Sequence, residues 1–154
     1  MVKPPPAMPQ PIRFDGRVAV VTGAGRGLGR AYAKLLGQLG AAVVVNNRTE
    51  ALAVEVAAEI VADGGTATAD GHSVASDGEK IIEHAVATYG RVDVLINNAG
   101  QLRDRSFAKM TWEEWEDVID THLHGTFRCT KAACGHHRPI TTTTTPQPPW
   151  PNEH

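Results

Sequence analysis

Three short stretches hold residue types that could do chemistry together. Thr22-Gly-Ala-Gly-Arg-Gly-Leu-Gly29 sets Gly23, Gly27 and Gly29 in a T-G-x-x-x-G-x-G loop between an apolar run and an amphipathic one. Such a loop lets the backbone turn sharply and approach a pyrophosphate, whose charge then rests on the N-terminus of the following helix. The plainer alternative is a glycine turn that only packs strand on helix; the flanking elements favour a dinucleotide. Val45-Asn46-Asn47-Arg48 ends the next apolar run. Dinucleotide folds usually place an acid there, which holds the adenosine ribose and repels a 2′-phosphate. Here Asn47 is neutral, Arg48 follows, and Arg26 sits inside the glycine loop. Two guanidiniums could clamp a 2′-phosphate, so the residue types favour NADP over NAD; the alternative is two solvated surface arginines. Asn97-Asn-Ala-Gly100 closes a later apolar run, at the carboxyl edge where open α/β sheets bind ligands.

The elements that must position these stretches follow from periodicity. Arg17–Thr22 and Ala41–Asn46 read as buried strands, Thr66–Asp70 as a weaker one, and Val92–Ile96 as a fourth. Between them, Leu28, Tyr32, Leu35, Leu36 and Leu39 recur at helical spacing up to Gly40. Thr49 can cap a helix to about Ala62 with Leu52, Val56 and Ile60 on its packed face. Ser76 or Asp77 starts another, carrying Ile81, Ile82, Ala85, Val86 and Tyr89 and stopped by Gly90. Thr111-Trp-Glu-Glu114 is a capping-box pattern opening a helix with Trp112, Trp115, Val118, Ile119 and Leu123. Alternation of strand and helix calls for a parallel sheet with helices on both faces. Right-handed crossovers give the order 3-2-1-4, half of a doubly wound, Rossmann-type α/β fold.

Composition bounds the rest. The 154 residues carry 15 Lys and Arg against 17 Asp and Glu, a formal charge of −2, which argues against a nucleic-acid partner. No apolar run approaches the ~20 residues of a membrane span, and the N-terminus lacks a secretory core. Cys129 and Cys134 read as reduced thiols in a soluble intracellular protein. Among seven histidines, His136 and His137 adjoin in a polar stretch, and His122 and His124 diverge around a helix, so no metal site is expected. All ten prolines lie within positions 4–11 and 139–151, and all fifteen glycines between Gly16 and Gly135. Residues 1–11 are therefore expected to be a disordered Pro-rich leader, 12–134 the folded body, and 135–154 a disordered Thr/Pro-rich tail. The composition break near Gly135 reads as translated intron or shifted-frame sequence, with a genuine tail as the rival.

The pairing of T-G-x-x-x-G-x-G with N-N-A-G resembles the short-chain dehydrogenase/reductase family. Arg13-Phe-Asp-Gly-Arg-Val18, Gly29-Arg-Ala-Tyr32, Leu102-Arg-Asp-Arg-Ser-Phe107 and His122-Leu-His-Gly-Thr-Phe127 point to a narrower branch, the (3R)-hydroxyacyl-CoA dehydrogenase domains of peroxisomal multifunctional β-oxidation enzymes. The likeness covers about residues 12–134. It implies that Gly23, Arg26, Gly27, Leu28 and Gly29 line the pyrophosphate and ribose, and that Asn47 and Arg48 face the adenosine ribose. It likewise puts His72, Ser73 and Val74 at the adenine and Asn98, Ala99 and Gly100 at the nicotinamide ribose. The sequence departs from the branch at Asn47 and at His72, where the resemblance implies aspartates, and by one extra residue around Ala75–Gly78. His122 stands where the family commonly has a structural or proton-relay asparagine; a histidine packed among Ile119 and Leu123 is the alternative.

What the resemblance implies for catalysis is a tyrosine acid/base, a lysine four residues on that lowers its pKa, and a serine that polarises the substrate oxygen. Tyr32 and Tyr89 are the only tyrosines, and Leu36 and Asp93 follow them by four. Ser73, Ser76 and Ser106 are the only serines, and none follows a fifth strand. The expectation is thus a partial, dinucleotide-binding Rossmann domain without turnover of its own, marginal in stability because the fourth strand is left with an open edge. The alternatives are a non-enzymatic binding or dimerising module acting through the Trp112–Cys134 helix, and an enzyme completed in trans. A peroxisomal address is implied by resemblance alone, since the sequence ends Pro-Asn-Glu-His.

Overall fold

The computed structural model describes residues 12–136, so the expectations for 1–11 and 137–154 lie outside the described residues. Four parallel strands form one sheet: β1 Val18–Val21, β2 Ala42–Asn46, β3 Thr66–Asp70 and β4 Val94–Ile96, in the order β3-β2-β1-β4. The register pairs Val20 with Val44 and Leu95, and Asn46 with Asp70. Helices α1 Gly27–Gln38 and α2 Glu50–Ala62 cover one face, and α3 Val74–Tyr89 and α5 Gly125–His136 the other; a shorter α4, Trp112–Ile119, precedes α5. The strand order and two-faced covering are those the alternation predicts.

Side chains divide between the two faces with the strand period of two. Ala19, Val21, Val43 and Val45 pack with Ala33, Leu36, Ala53, Val56 and Ile60. Val20 and Val44 pack with Ile81, Ile82, Ala85 and Cys129. Each fully buried Ile or Val contributes roughly 1.5–3 kcal/mol against exposure. Burial also pushes the Cys129 thiol up to about 11, so it stays protonated and inert near neutrality. Both cysteines are free.

Several helix faces differ from expectation for one reason, close approach. On α1 the buried residues are Gly29, Ala33, Leu36 and Gly37, while Leu28, Tyr32 and Leu35 face outward. A methyl group on Gly37 would lie 2.6 Å from Ile60 Cγ2, so α1 meets α2 through its small residues. On α2 the stripe is Ala53, Val56, Ala57 and Ile60, and Leu52 is only half-buried. Thr49 occupies the N-cap position of α2, but its side chain makes no capping bond. α3 begins at Val74, earlier than expected, because a turn of helix precedes a break at Asp77 (φ −130°, ψ 28°). That break lies within Ala75–Gly78, the stretch where the resemblance implies one extra residue.

The long helix expected from Trp112 to Cys134 is two helices joined by a π-helical turn, Asp120–His124. Its capping box forms as read: Glu114 N donates to Thr111 Oγ1 at 3.2 Å, and Thr111 N to Glu114 Oε2 at 3.0 Å. The aromatic row does not pack, with Trp112 68% exposed and Phe127 62%. Contact with α3 is made by Gly125 and Cys129, because a methyl group on Gly125 would lie 2.9 Å from Val74 Cγ2. α5 runs through His136, two residues into the stretch expected to be disordered.

β4 starts two residues later than expected. Asp93 instead spans the bottom of the sheet: its amide donates to Val18 O and its carboxylate accepts from Val18 N, both at 2.9 Å, and from Arg17 and Arg91. Among the described residues β4 pairs with β1 alone, which leaves the open edge expected of it.

Candidate functional site

The carboxyl ends of all four strands meet at a cleft of about 330 Å³. It runs from residues after β3 to residues after β4, the two outer strands of the sheet. Its walls include Gly23, Asn47, Arg48, Asn98, Ala99 and Gly100 from the three stretches, together with His72, Ser73 and Val74, which the family resemblance implies. Arg26, Gly27 and Leu28 are exposed outside this lining, and Gly29 is buried beneath it. Sequence reasoning missed Asn46, Thr49, Leu52, Gln101 and Thr121, which also line the cleft.

The glycine loop and the Asn-Asn-Ala-Gly end are one interlocked unit. Thr22 Oγ1 accepts from the amides of Asn98 (3.1 Å) and Ala99 (3.0 Å) and donates to Ile96 O (3.3 Å). Asn98 Nδ2 donates back to Thr22 O at 3.0 Å and Gly23 O at 3.1 Å. Gly23, at φ +63°, presses so closely that a methyl group there would lie 2.7 Å from Ala99 Cα. Asn98 therefore acts on this loop as a brace. The leading Thr of the motif was visible in the sequence, but its partner 76 residues away was not.

Gly27 differs from its neighbours: φ is +55° and nothing lies within 4 Å of where its Cβ would be. The backbone at the N-terminus of α1 is thus bare toward solvent, as close approach by a phosphate requires. At the end of β2, Asn47 is half-buried and its Nδ2 donates to Thr49 O at 3.0 Å. Among the described residues neither Arg26 nor Arg48 has an ion-pair partner, and Arg48 is exposed on the cleft wall.

Below His72 sits a polar cluster that periodicity could not reveal. Asp70, 2% exposed, accepts at Oδ1 from Asn46 Nδ2 (2.7 Å) and His72 N (3.0 Å). At Oδ2 it meets the Nδ1 atoms of His72 (3.0 Å) and His84 (2.8 Å). Burial by itself would raise the Asp70 pKa; hydrogen bonds from His72, His84 and Asn46 outweigh it and hold the carboxyl below its ordinary value. At Asp93, burial is likewise outweighed by Arg91, the Val18 amide and Arg17.

Both carboxyls therefore contribute stability that is complete above the ordinary value of about 3.9 and is lost as pH falls through their folded-state values. The melting temperature should hold from neutrality to about pH 5 and fall below about pH 4, and Asp93→Asn should flatten that fall. Thermal melts in an acid series check it; an undiminished acid drop in the variant would refute Asp93's part.

His122 is exposed, and its ring reaches the residues that follow β4. Its Nε2 lies 3.1 Å from the Gln101 amide and 3.0 Å from the Gln101 carbonyl, accepting from one or donating to the other according to tautomer. A methyl group on Gly100 would lie 2.7 Å from His122 Cε1, so the ring latches the π-helical turn to the end of the cleft. His124 pairs separately with Asp120 at 2.7 Å. Among the described residues no three His, Cys, Asp or Glu are placed to hold a metal, and no helix is long and apolar enough to cross a membrane. Tyr89 is not part of the cleft lining, and burial raises its pKa.

Comparison with known proteins agrees with this geometry. The chain is 53% identical over 131 residues to peroxisomal multifunctional enzyme type 2 of Drosophila melanogaster, covering 79% of this chain and 22% of that protein. With the Mus musculus protein of the same name it shares 47% over 138 residues, 84% of this chain and 19% of that one. It thus spans about a fifth of the length of these relatives. The crystal structure of a short chain dehydrogenase from Mycobacterium avium matches with a TM-score of 0.77 at 43% identity, over 80% of this chain and 46% of that one. The family binds nicotinamide dinucleotides. Residues 17–138 match the family model described as short chain dehydrogenase, and the chain belongs to that family.

Proposed function

We propose that this chain holds a nicotinamide dinucleotide, NADP in preference to NAD, as the cofactor-binding part of a dehydrogenase acting on a hydroxyacyl-CoA-like alcohol or ketone. The observation that carries the reading is the Thr22–Asn98 lock, which fixes the glycine loop against the Asn-Ala-Gly end over one cleft. Gly23, Gly27 and the α1 N-terminus would take the pyrophosphate, His72 to Val74 the adenine, and Asn98 to Gly100 the nicotinamide ribose. The bound dinucleotide would supply or accept hydride. What these residues do is bind and orient it at the carboxyl edge of the sheet.

The NADP preference rests on charge. No carboxylate ends β2, and Arg48 stands free on the cleft wall among the described residues. One charge-assisted hydrogen bond to a 2′-phosphate corresponds to about tenfold or more in affinity. Isothermal titration should show NADPH binding about tenfold more tightly than NADH, with Arg48→Ala removing most of the difference; equal affinities in the unmodified protein would refute the preference.

We further propose that these 154 residues do not turn over substrate unaided, because they contain no tyrosine with a lysine four positions on. Incubation with NADPH and a 3-ketoacyl-CoA should give binding without consumption of NADPH. Oxidation of NADPH by the purified chain would overturn this. The open β4 edge and the exposed Trp112, Trp115 and Phe127 favour a second reading, in which another chain completes the site or a second copy docks there. Turnover that appears only with a partner chain would support it. The names of the relatives suggest the peroxisome as the compartment.

A further inference from the structure

We propose that Asp70 is a positioning residue for the adenosine end of the cleft, tying the His72 wall to His84 on α3; the proposal deepens the dinucleotide reading and rests on it. The cluster is built for holding. Asp70 is the last residue of β3, its side chain is 1% exposed, and four donors, from β2, from α3 and two from His72 just beyond β3, converge on its two oxygens.

The Oδ1 side fixes backbone. Asn46 Nδ2 bridges Asp70 Oδ1 and His72 O (2.8 Å), and the His72 amide returns to the same oxygen. The chain leaving β3 is thereby clamped to the end of β2, beside Asn47 and Arg48. The Oδ2 side fixes side chains. An ionised carboxylate only accepts, so both imidazoles must present a protonated Nδ1 to it, which orients each ring and leaves each Nε2 outward. His72 is part of the cleft lining and His84 is not; the bond from His84 to Asp70 Oδ2 ties α3 to that wall. A residue that merely filled space here would need no charge; this one uses nearly all its acceptor capacity to set the pose of one wall.

The test separates wall-setting from general stability by using the two halves of the dinucleotide as separate probes. Adenosine 2′,5′-bisphosphate and nicotinamide mononucleotide are titrated against the 154-residue protein and its Asp70→Asn and His84→Gln variants. The expected result is about tenfold weaker binding of the adenosine half in Asp70→Asn, a smaller loss in the same direction in His84→Gln, and unchanged binding of the nicotinamide half in both. Equal losses on both halves, or none on either, would overturn the proposal. Hydrogen exchange of the His72 amide without ligand is measured alongside, and should be faster in both variants. If the unmodified protein binds neither half, the dinucleotide reading falls while exchange still decides the positioning role: unchanged His72 protection would defeat it.

Discussion

Gly29→Ala is expected to cost about 3–5 kcal/mol of stability, from overpacking together with the hydrogen bonds it breaks. That is a large share of the roughly 5–15 kcal/mol available to a domain. The added methyl group would run into Asn98 Nδ2 and would lie 2.6 Å from Gly23 O and 2.9 Å from Ala24 Cα. None of these can give way cheaply. Two are backbone atoms of the loop, and the third is the amide nitrogen that Asn98 donates to Thr22 O and Gly23 O. The melting temperature should drop on the order of 10–20 °C, and dinucleotide binding should fall with it. Gly27→Ala is the control. It meets nothing within 4 Å, so it bears only the roughly 1–2 kcal/mol of its left-handed φ of +55°. Differential scanning calorimetry of the pair decides the matter: equal melting temperatures would mean that the loop is not braced as described.

Thr22→Val should cost about 2–4 kcal/mol although it preserves shape. Thr22 is 1% exposed, and its hydroxyl is the common acceptor for the Asn98 and Ala99 amides. Valine leaves the Ala99 amide unpaired, at roughly 1–3 kcal/mol, and leaves the Asn98 amide with only its second acceptor, Ile96 O at 3.0 Å, a loss of roughly 0.5–1.5 kcal/mol. Thr22→Ser keeps the hydroxyl and gives up one methyl group, about 1 kcal/mol. Urea denaturation should therefore rank the wild type above Ser and Ser above Val. The reverse order of the two variants would show that packing, not the hydroxyl, secures this junction. Binding of the dinucleotide should follow the same ranking, because the amides concerned set the Asn98–Gly100 wall of the cleft.

The two experiments bear on how the cleft is put together from parts far apart in the chain. Glycine spacing marks a loop that could admit phosphate, but the loop is held in shape by a threonine and an asparagine 76 residues apart. Its partners were each legible as members of a motif; their bond was not, since no local period encodes a contact across β1 and β4.

Much was determined by the sequence alone. β-branched runs, helical spacing and the capping box at Thr111 place the four strands and most of the helices, and right-handed crossover fixes their order, because these depend on local sterics and on period. Six of the cleft-lining residues, Gly23, Asn47, Arg48, Asn98, Ala99 and Gly100, belong to motifs at strand ends, whereas His72, Ser73 and Val74 were expected only from the family resemblance. Tertiary structure alone decided which helix faces are buried. Leu28, Tyr32 and Leu35 on α1, and Trp112 and Trp115 on α4, look like core by hydrophobicity yet face outward, while Gly37, Gly125 and Cys129 make the contacts. Interhelical distance, which no single helix specifies, selects small residues where backbones approach closely. Tertiary structure also gathered Asn46, Asp70, His72 and His84 into one buried cluster, since hydrogen bonds between β2, β3 and α3 exist only once those elements are packed side by side.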